Sequence, residues 1–304
     1  MPFAFDCFTL EHEAPAFAAL MRRYNIPMRE AQKIIDKGRM LCNDITVTQK
    51  NQRVVGDLKV LRFLPKSRNL PPFFTTPNFM VFEKPSGVLV HPNKVLTPYS
   101  MLDEVRHFGG ENANSVHRID METSGLLLAS KNRETEIQLK TMFEQKLIQK
   151  SYLAWVRGNT PDAFRVDAPI KVRQDYTASK HKVAIDSSGK SAHTEFTKLL
   201  YNPQKDASLL SIKPLTGRTH QIRIHLFHVK HPIIGDPLYG TPFKFAEAYL
   251  EERITQRERV KFTGATRLLL HAQSLEFTSD CHYYIKSLID FKKAINKIHK
   301  KEEW

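Results

Sequence analysis

Two short segments gather the side chains that could do chemistry. The first, Val116-His117-Arg118-Ile119-Asp120-Met121-Glu122-Thr123-Ser124-Gly125-Leu126-Leu127-Leu128, sets an arginine and a carboxylate in a loop that runs into an apolar strand. The second, Leu215-Thr216-Gly217-Arg218-Thr219-His220-Gln221-Ile222-Arg223-Ile224-His225, is a Thr-Gly turn leading into a helix. Thr219 is the expected N-cap, and Ile222, Leu226 and Val229 share one face. A carboxylate in a cleft beside an arginine can be a base, a nucleophile or half of a structural ion pair, and neither segment alone decides which. His117, His220 and His225 are expected as hydrogen-bonded scaffold. His220, His225, His228 and His231 lie close together, but no cysteine or carboxylate accompanies them before Asp236, so no metal site is expected. Thr123-Ser124-Gly125 and Gly235-Asp236-Pro237 are expected to form turns that shape the cleft.

Holding these groups calls for a sheet. Phe79–Glu83 and Val88–Val90 are expected strands on either side of a Lys84-Pro85-Ser86-Gly87 turn, and Leu126–Ala129 reads as a buried strand. Asn132 should cap a helix from Arg133 to about Gln145, with Glu134 and Glu136 in its first turn. Ser151–Val156 is a further strand, and Thr194–Tyr201 and Leu209–Lys213 read as antiparallel partners across the Asn202-Pro203 loop. Residues 78–285 therefore predict an α+β domain with a mixed, largely antiparallel central sheet and flanking helices. Ahead of it, residues 65–77 read as a linker rich in proline and charge. After it, residues 286–304 form a basic tail expected to be helical, with Leu288, Ile289, Ile295 and Ile298 at helical spacing. Its Lys292, Lys293, Lys297, Lys300 and Lys301 suit phosphates and solvent equally.

Residues 13–64 read as a small α/β unit. A helix over Phe17–Tyr24 breaks at Asn25-Ile26-Pro27, and a second runs from Arg29 to Lys37, where Gly38 ends it. Ala31, Ile34 and Ile35 face inward on that helix, and Arg29, Lys33 and Lys37 outward. Met40–Cys42 and Ile45–Val47 form a hairpin around Asn43-Asp44, and Val54–Val60 adds a turn at Gly56-Asp57 and a strand. The basic helix, the Ile35-x-x-Gly38-Arg39 step and the Val55-Gly56-Asp57 turn resemble the S-four-type (alpha-L) RNA-binding domain across Ala16–Leu64. Asn43-Asp44 departs from the Asn-Gly usual in that family. The resemblance implies Arg29, Lys33, Lys37 and Arg39 as RNA contacts.

Composition agrees with a polyanionic partner: 46 Lys+Arg against 32 Asp+Glu leave a net charge of +14. No apolar stretch is long enough to span a membrane, and no signal peptide is read in MPFAFDCFTLEHEAP. Cys7, Cys42 and Cys281 are odd in number and far apart, which suggests no disulfide framework and points to the cytoplasm.

Taken together, the two chemical segments resemble the RluA family of RNA pseudouridine synthases. The family pattern His-Arg-Leu-Asp-x-x-Thr-Ser-Gly-Leu-Leu stands here as His117-Arg118-Ile119-Asp120-Met121-Glu122-Thr123-Ser124-Gly125-Leu126-Leu127. Five further blocks flank it in family order: Glu83–Gly87, Lys150–Ala154, Thr216–His225, His231–Gly240 and Arg267–Ala272. Met121 and Glu122 replace a more usual Arg-Asp. The resemblance implies an isomerase that detaches uracil from its ribose, turns it and rejoins it through ring carbon, with no cofactor and no metal. It implies Asp120 as the carboxylate acting on the nucleoside, as nucleophile or base, with Arg223 as its ion-pair partner and Tyr152 as the active-site tyrosine. Arg118 is implied to enter or prop the RNA where the target nucleotide has left, and Arg218 to contact RNA. The implied partner is ribosomal or transfer RNA, with large-subunit ribosomal RNA favoured by the N-terminal unit, and the expected state is a monomer. A retired enzyme fold serving ribosome assembly is the main alternative, and a nucleoside hydrolase a second; the presence of Asp120, Tyr152 and Arg223 together speaks against the first.

Overall fold

The computed structural model describes residues 2–173 and 183–299, so Lys300 and Lys301 lie outside the described residues. Asn25-Ile26-Pro27 separates the helices Ala16–Tyr24 and Met28–Asp36, and Asn25, with φ 50°, supplies the left-handed residue that ends the first. Ala19, Leu20, Ala31 and Ile35 on these helices are buried against Met40, Leu58 and Val60 of a four-stranded antiparallel sheet. The hairpin Met40–Cys42/Ile45–Thr46 turns on Asn43 and Asp44, both at positive φ, a conformation that Asn and Asp adopt more readily than most side chains.

Two features of this unit differ from expectation. Phe3–Pro15 is a strand, paired antiparallel with Arg53–Phe63 and crossing the boundary expected at residue 13. Its alternating burial is shallow, which is why no core periodicity announced it. Gly56-Asp57 is not a turn but lies within the strand Arg53–Phe63. Gly56 (φ 93°) leaves room there for the Asn43 side chain, which would meet an added Cβ at 2.8 Å.

Residues 65–72 follow a fixed path. The buried carboxylates of Asp103 and Glu104 accept hydrogen bonds from Lys66 N (2.9 Å), Ser67 Oγ (2.6 Å), Arg68 N and Leu70 N. Phe74–Thr75 already pairs with Phe79–Lys84 as an edge strand of the larger sheet.

The larger sheet has ten strands among the described residues. Its spatial order runs Ala163–Asp167, His193–Asn202, Ala207–Pro214, Gln149–Arg157, Leu270–Thr278, Ser124–Ser130, Phe79–Lys84, Phe74–Thr75. His282–Lys286 and Asn114–Ser115 are added at the side. Only Leu270–Thr278 and Ser124–Ser130 pair in parallel; the other described pairings of this sheet are antiparallel. Helices Met101–Gly109, Arg133–Glu144, Gln221–His228, Phe243–Leu250 and Gln256–Thr263 flank it. Asn132 caps the second of these by accepting from Thr135 N at 2.9 Å.

Three further expectations are corrected here. Val88–Val90 is not a strand: its carbonyls accept from Lys84 Nζ, Met101 N and Leu102 N, which leaves none for a ladder. His220 rather than Thr219 is the N-cap of Gln221–His228, and its φ of 54° lies in the left-handed region. In the basic tail Phe291–Lys297 forms a 3-10 helix that buries Phe291 and Ala294, while Leu288 and Ile289 are exposed. No helix among the described residues is long and apolar enough to cross a membrane.

At the parallel junction, Gly125 (φ 108°) lets the two backbones approach; an added Cβ would stand 2.3 Å from the Ala272 carbonyl oxygen. Gly125→Ala is expected to lose at least about 2 kcal/mol of stability, read by urea denaturation; an unchanged midpoint would show that the strands can part without loss.

Candidate active site

Four neighbouring strands bring the site together at one end of the sheet. Asp120 stands in the loop before Ser124–Ser130, Tyr152 on Gln149–Arg157, Leu270 at the start of its strand, and the segment Pro214–Arg223 follows Ala207–Pro214. They line a cleft of about 100 Å³ together with Arg118, Lys150, Arg218 and His220. Of the residues singled out by sequence, Asp120, Tyr152, Arg223, Arg118 and Arg218 meet here. Arg29, Lys33 and Lys37 instead lie exposed on and just after the helix Met28–Asp36, and Arg39 lies 5.2 Å over the Phe3 ring.

Arg223 occupies the first turn of its helix and is only 3% exposed. Its Nε and Nη2 donate to the two Asp236 oxygens at 2.7 and 2.9 Å, a bidentate pairing that fixes the guanidinium plane. The remaining Nη1 reaches Asp120 Oδ2 at 3.3 Å. Asp236 also accepts from Leu238 N and Tyr239 N, at 2.9 and 3.1 Å. Burial alone would favour a neutral Asp236, but Arg223 and these amides hold its carboxyl below the usual range. Burial works against the charge on Arg223 as well, yet Asp236 and Asp120 keep it ionised. Asp236 is therefore more than the turn former expected from Gly235-Asp236-Pro237: it anchors the arginine that faces Asp120. An acid in a turn looks the same in sequence whether or not a cation lies under it, so only the adjoining family-like block hinted at it.

Asp120 is three-quarters covered, its side chain 26% exposed. His220 Nε2 stands 3.8 Å from it, and the other ring nitrogen meets the Tyr239 hydroxyl at 3.0 Å. Tyr152 is 9% exposed; burial first, and the nearby Asp120 charge second, push its hydroxyl above the ordinary value, so it stands protonated at neutral pH. His117 and His225 are scaffold. His117 Nε2 accepts from Leu128 N at 3.0 Å, and burial, with Lys150 nearby, pushes it down to about 3. His225 bonds Thr194 Oγ1 and the Ala168 carbonyl.

The loop that carries Asp120 is tied from both sides. Lys84, fully buried, donates to the carbonyls of Pro85, Val88 and Met121 at 2.7–2.9 Å, and Ser86 Oγ donates to Glu122 O at 2.6 Å. The Glu122 carboxylate receives Arg259 at 2.6 and 3.1 Å and the Tyr249 hydroxyl at 2.6 Å. Arg259 also donates to the Gly235 carbonyl at 3.2 Å. One guanidinium therefore joins the Asp120 loop to the Asp236 loop. Glu122 stood in the Asp120 motif only as a departure from the usual residue, and Arg259 and Tyr249 had no motif to mark them.

The model of the family described as RNA pseudouridylate synthase matches residues 78–228. An uncharacterized RNA pseudouridine synthase of Helicobacter pylori strain 26695 is 38% identical over 299 residues, covering 98% of this chain and 94% of that protein. The ribosomal large subunit pseudouridine synthase C of Buchnera aphidicola subsp. Baizongia pistaciae is 35% identical over 66% of this chain and 59% of its own length. The tRNA pseudouridine synthase C of Haemophilus ducreyi is 35% identical over 66% and 81%. Among solved structures, human RNA pseudouridylate synthase domain containing 4 superposes with a TM-score of 0.57 over 76% of this chain and 95% of that one, at 21% identity, and so shares the fold.

Two outcomes follow from the buried charges. Arg259→Met should cost about 3 kcal/mol, because it leaves Glu122 buried and unpaired, and adding Glu122→Gln should recover part of that. Additive losses in urea denaturation of the two single variants and the double would show the pair to be uncoupled. The folded-state carboxyls of Asp236 and Glu122 lie below their unfolded values, so the stability they contribute is complete above the ordinary carboxylate range and is lost as pH falls through the depressed values. Melting temperature should drop steeply below about pH 4, and less steeply in the Glu122→Gln/Arg259→Met chain.

Proposed function

The chain belongs to the RNA pseudouridylate synthase family, an RNA-modifying isomerase family, and from that premise we propose that Asp120, Tyr152 and Arg223 carry out the conversion of uridine to pseudouridine. The observation that carries this is the charge arrangement at the cleft floor: Asp236 holds Arg223 so that one free edge faces Asp120 at 3.3 Å, with Tyr152 in the same cleft. Arg223 donates to the Asp120 carboxylate and orients it. Tyr152 offers a ring face on which a uracil can rest and a protonated hydroxyl for orienting it. The substrate and product are isomers, so the bond from ribose to ring nitrogen is exchanged for one to ring carbon with no net gain or loss of electrons.

The target base must leave its stack to enter the cleft. Arg118, exposed at the cleft edge, fits the role of taking the vacated place, and Arg218 that of holding the backbone opposite. The N-terminal unit is read as an S-four-type RNA-binding domain, with Arg29, Lys33, Lys37 and Arg39 on phosphates. Two helices packed on a sheet, with Arg29, Lys33 and Lys37 exposed, support that reading. The proposed substrate is large-subunit ribosomal RNA. Similarity to the Buchnera protein supports it, and similarity to the Haemophilus protein makes transfer RNA the comparison to run. A monomer in the cytoplasm is the proposed state.

Wild type and Asp120→Asn should be incubated with unmodified ribosomal and transfer RNA and pseudouridine mapped by chemical labelling and reverse-transcription stops. Wild type alone should produce stops, in large-subunit RNA, while Asp120→Asn still binds. Residual activity at about a tenth of wild type would remove Asp120 from its role, since loss of an essential group costs far more. Stops confined to transfer RNA would redirect the substrate assignment.

A further inference from the structure

The strand Gln149–Arg157 alternates its side chains, so Lys150 and Tyr152 share a face, and both line the cleft. At about 3.4 Å per residue they leave the backbone about 7 Å apart, the order of the separation between a pyrimidine ring and the phosphate of its own nucleotide. Lys150 is half-buried. Its Nζ lies 5.6 Å from the centre of the Phe143 ring and 3.8 Å from where a Cβ on Gly217 would stand. The absence of a side chain at Gly217 leaves that approach open.

Lys150 differs from Arg223, the buried arginine of the cleft. Arg223 is matched by Asp236 and Asp120. Among the described residues no carboxylate pairs with Lys150 and no acceptor takes a hydrogen bond from its ammonium. Burial pushes its pKa down with nothing to oppose it. A partly desolvated ammonium without a counter-ion is unfavourable, and it becomes favourable once an anion with several acceptor oxygens arrives. Arg118 and Arg218, on the same cleft, likewise have no carboxylate partner among the described residues. The cleft is therefore over-supplied with positive charge relative to what its own carboxylates neutralise.

We infer that Lys150 is a phosphate-binding residue of this cleft, taking the backbone phosphate of the nucleotide whose base rests on Tyr152. The assignment rests on the RNA reading of the site and extends it. A nucleotide held at its phosphate by Lys150 and at its base by Tyr152 would have its sugar within the cleft that Asp120 also lines.

The test is equilibrium binding of a stem-loop transcript with an unpaired uridine, measured across a series of salt concentrations. Lys150→Gln and Lys150→Met should each bind about tenfold or more weakly, the loss expected for one charge-assisted contact. Each should also lower the slope of log affinity against log salt by about 0.7 to 0.9. Lys150→Arg should keep most of both. Melting temperatures report whether each variant folds, and Lys150→Met preserves the packing of the stem should Lys150→Gln fail to. Wild-type affinity and slope in a folded neutral variant would overturn the assignment. Weakened binding with an unchanged slope would overturn it too, since that is the signature of lost packing. Product formation by wild type, run on the same transcript, tests the isomerase reading separately; absence of product with the expected salt slopes would leave Lys150 assigned and the chemistry wrong.

Discussion

The bidentate pair between Arg223 and Asp236 decides where positive charge stands at the floor of the cleft. Both partners are buried, Arg223 at 3% and Asp236 at 1% exposure, so neither could be there without the other. Two of the guanidinium nitrogens are committed to Asp236, and that commitment turns the third toward Asp120. A lysine at this position could not do the same, because an ammonium has no plane for a carboxylate to fix.

Much of the surrounding structure serves to hold that geometry. Asp236 is placed by the turn whose amides it accepts, and the turn lies against the backbone of Arg267 so closely that an added Cβ on Gly235 would stand 1.8 Å from the carbonyl oxygen. Asp120 is placed by a loop whose carbonyls are held by Lys84 and Ser86 and whose Glu122 is held by Arg259 and Tyr249. The two loops meet through Arg259, which reaches Glu122 on one and Gly235 on the other. Polar groups committed in this way leave the site little freedom to rearrange, and a pre-organised site needs no reorganisation when charge develops.

Charge is distributed by role. The interior cations are matched: Arg223 by Asp236, Arg259 by Glu122, Lys84 by three carbonyls. Arg118, Lys150 and Arg218 along the cleft have no carboxylate partner among the described residues. Arg29, Lys33 and Lys37 are exposed on and just after the helix Met28–Asp36. These six cations contribute to the net charge of +14, a surplus that favours a polyanionic partner. Asp103 and Glu104, by gripping the backbone of residues 66–70, hold the chain between the two units on one path, and the Arg62–Glu111 pair bridges the same junction.

Local order was legible from local pattern. A continuous apolar run placed Leu126–Ala129, Asn132 marked a helix start, and the family resemblance of the Asp120 and Arg223 segments marked them as one site. What stayed hidden depended on partners distant in the chain. Phe3–Pro15 is a strand because Arg53–Phe63 is there to pair with it, and Val88–Val90 is not one because Lys84 and the start of a helix take its carbonyls. Asp236 looked like a turn residue and Arg259 carried no signal until packing set a buried opposite charge against each. Propensity and periodicity act over a few residues, so the sequence by itself determined many of the local elements and gathered the candidate chemical groups into two segments. The pairing of desolvated charges is decided by which loops the sheet brings within hydrogen-bond reach, and only the tertiary structure settled that.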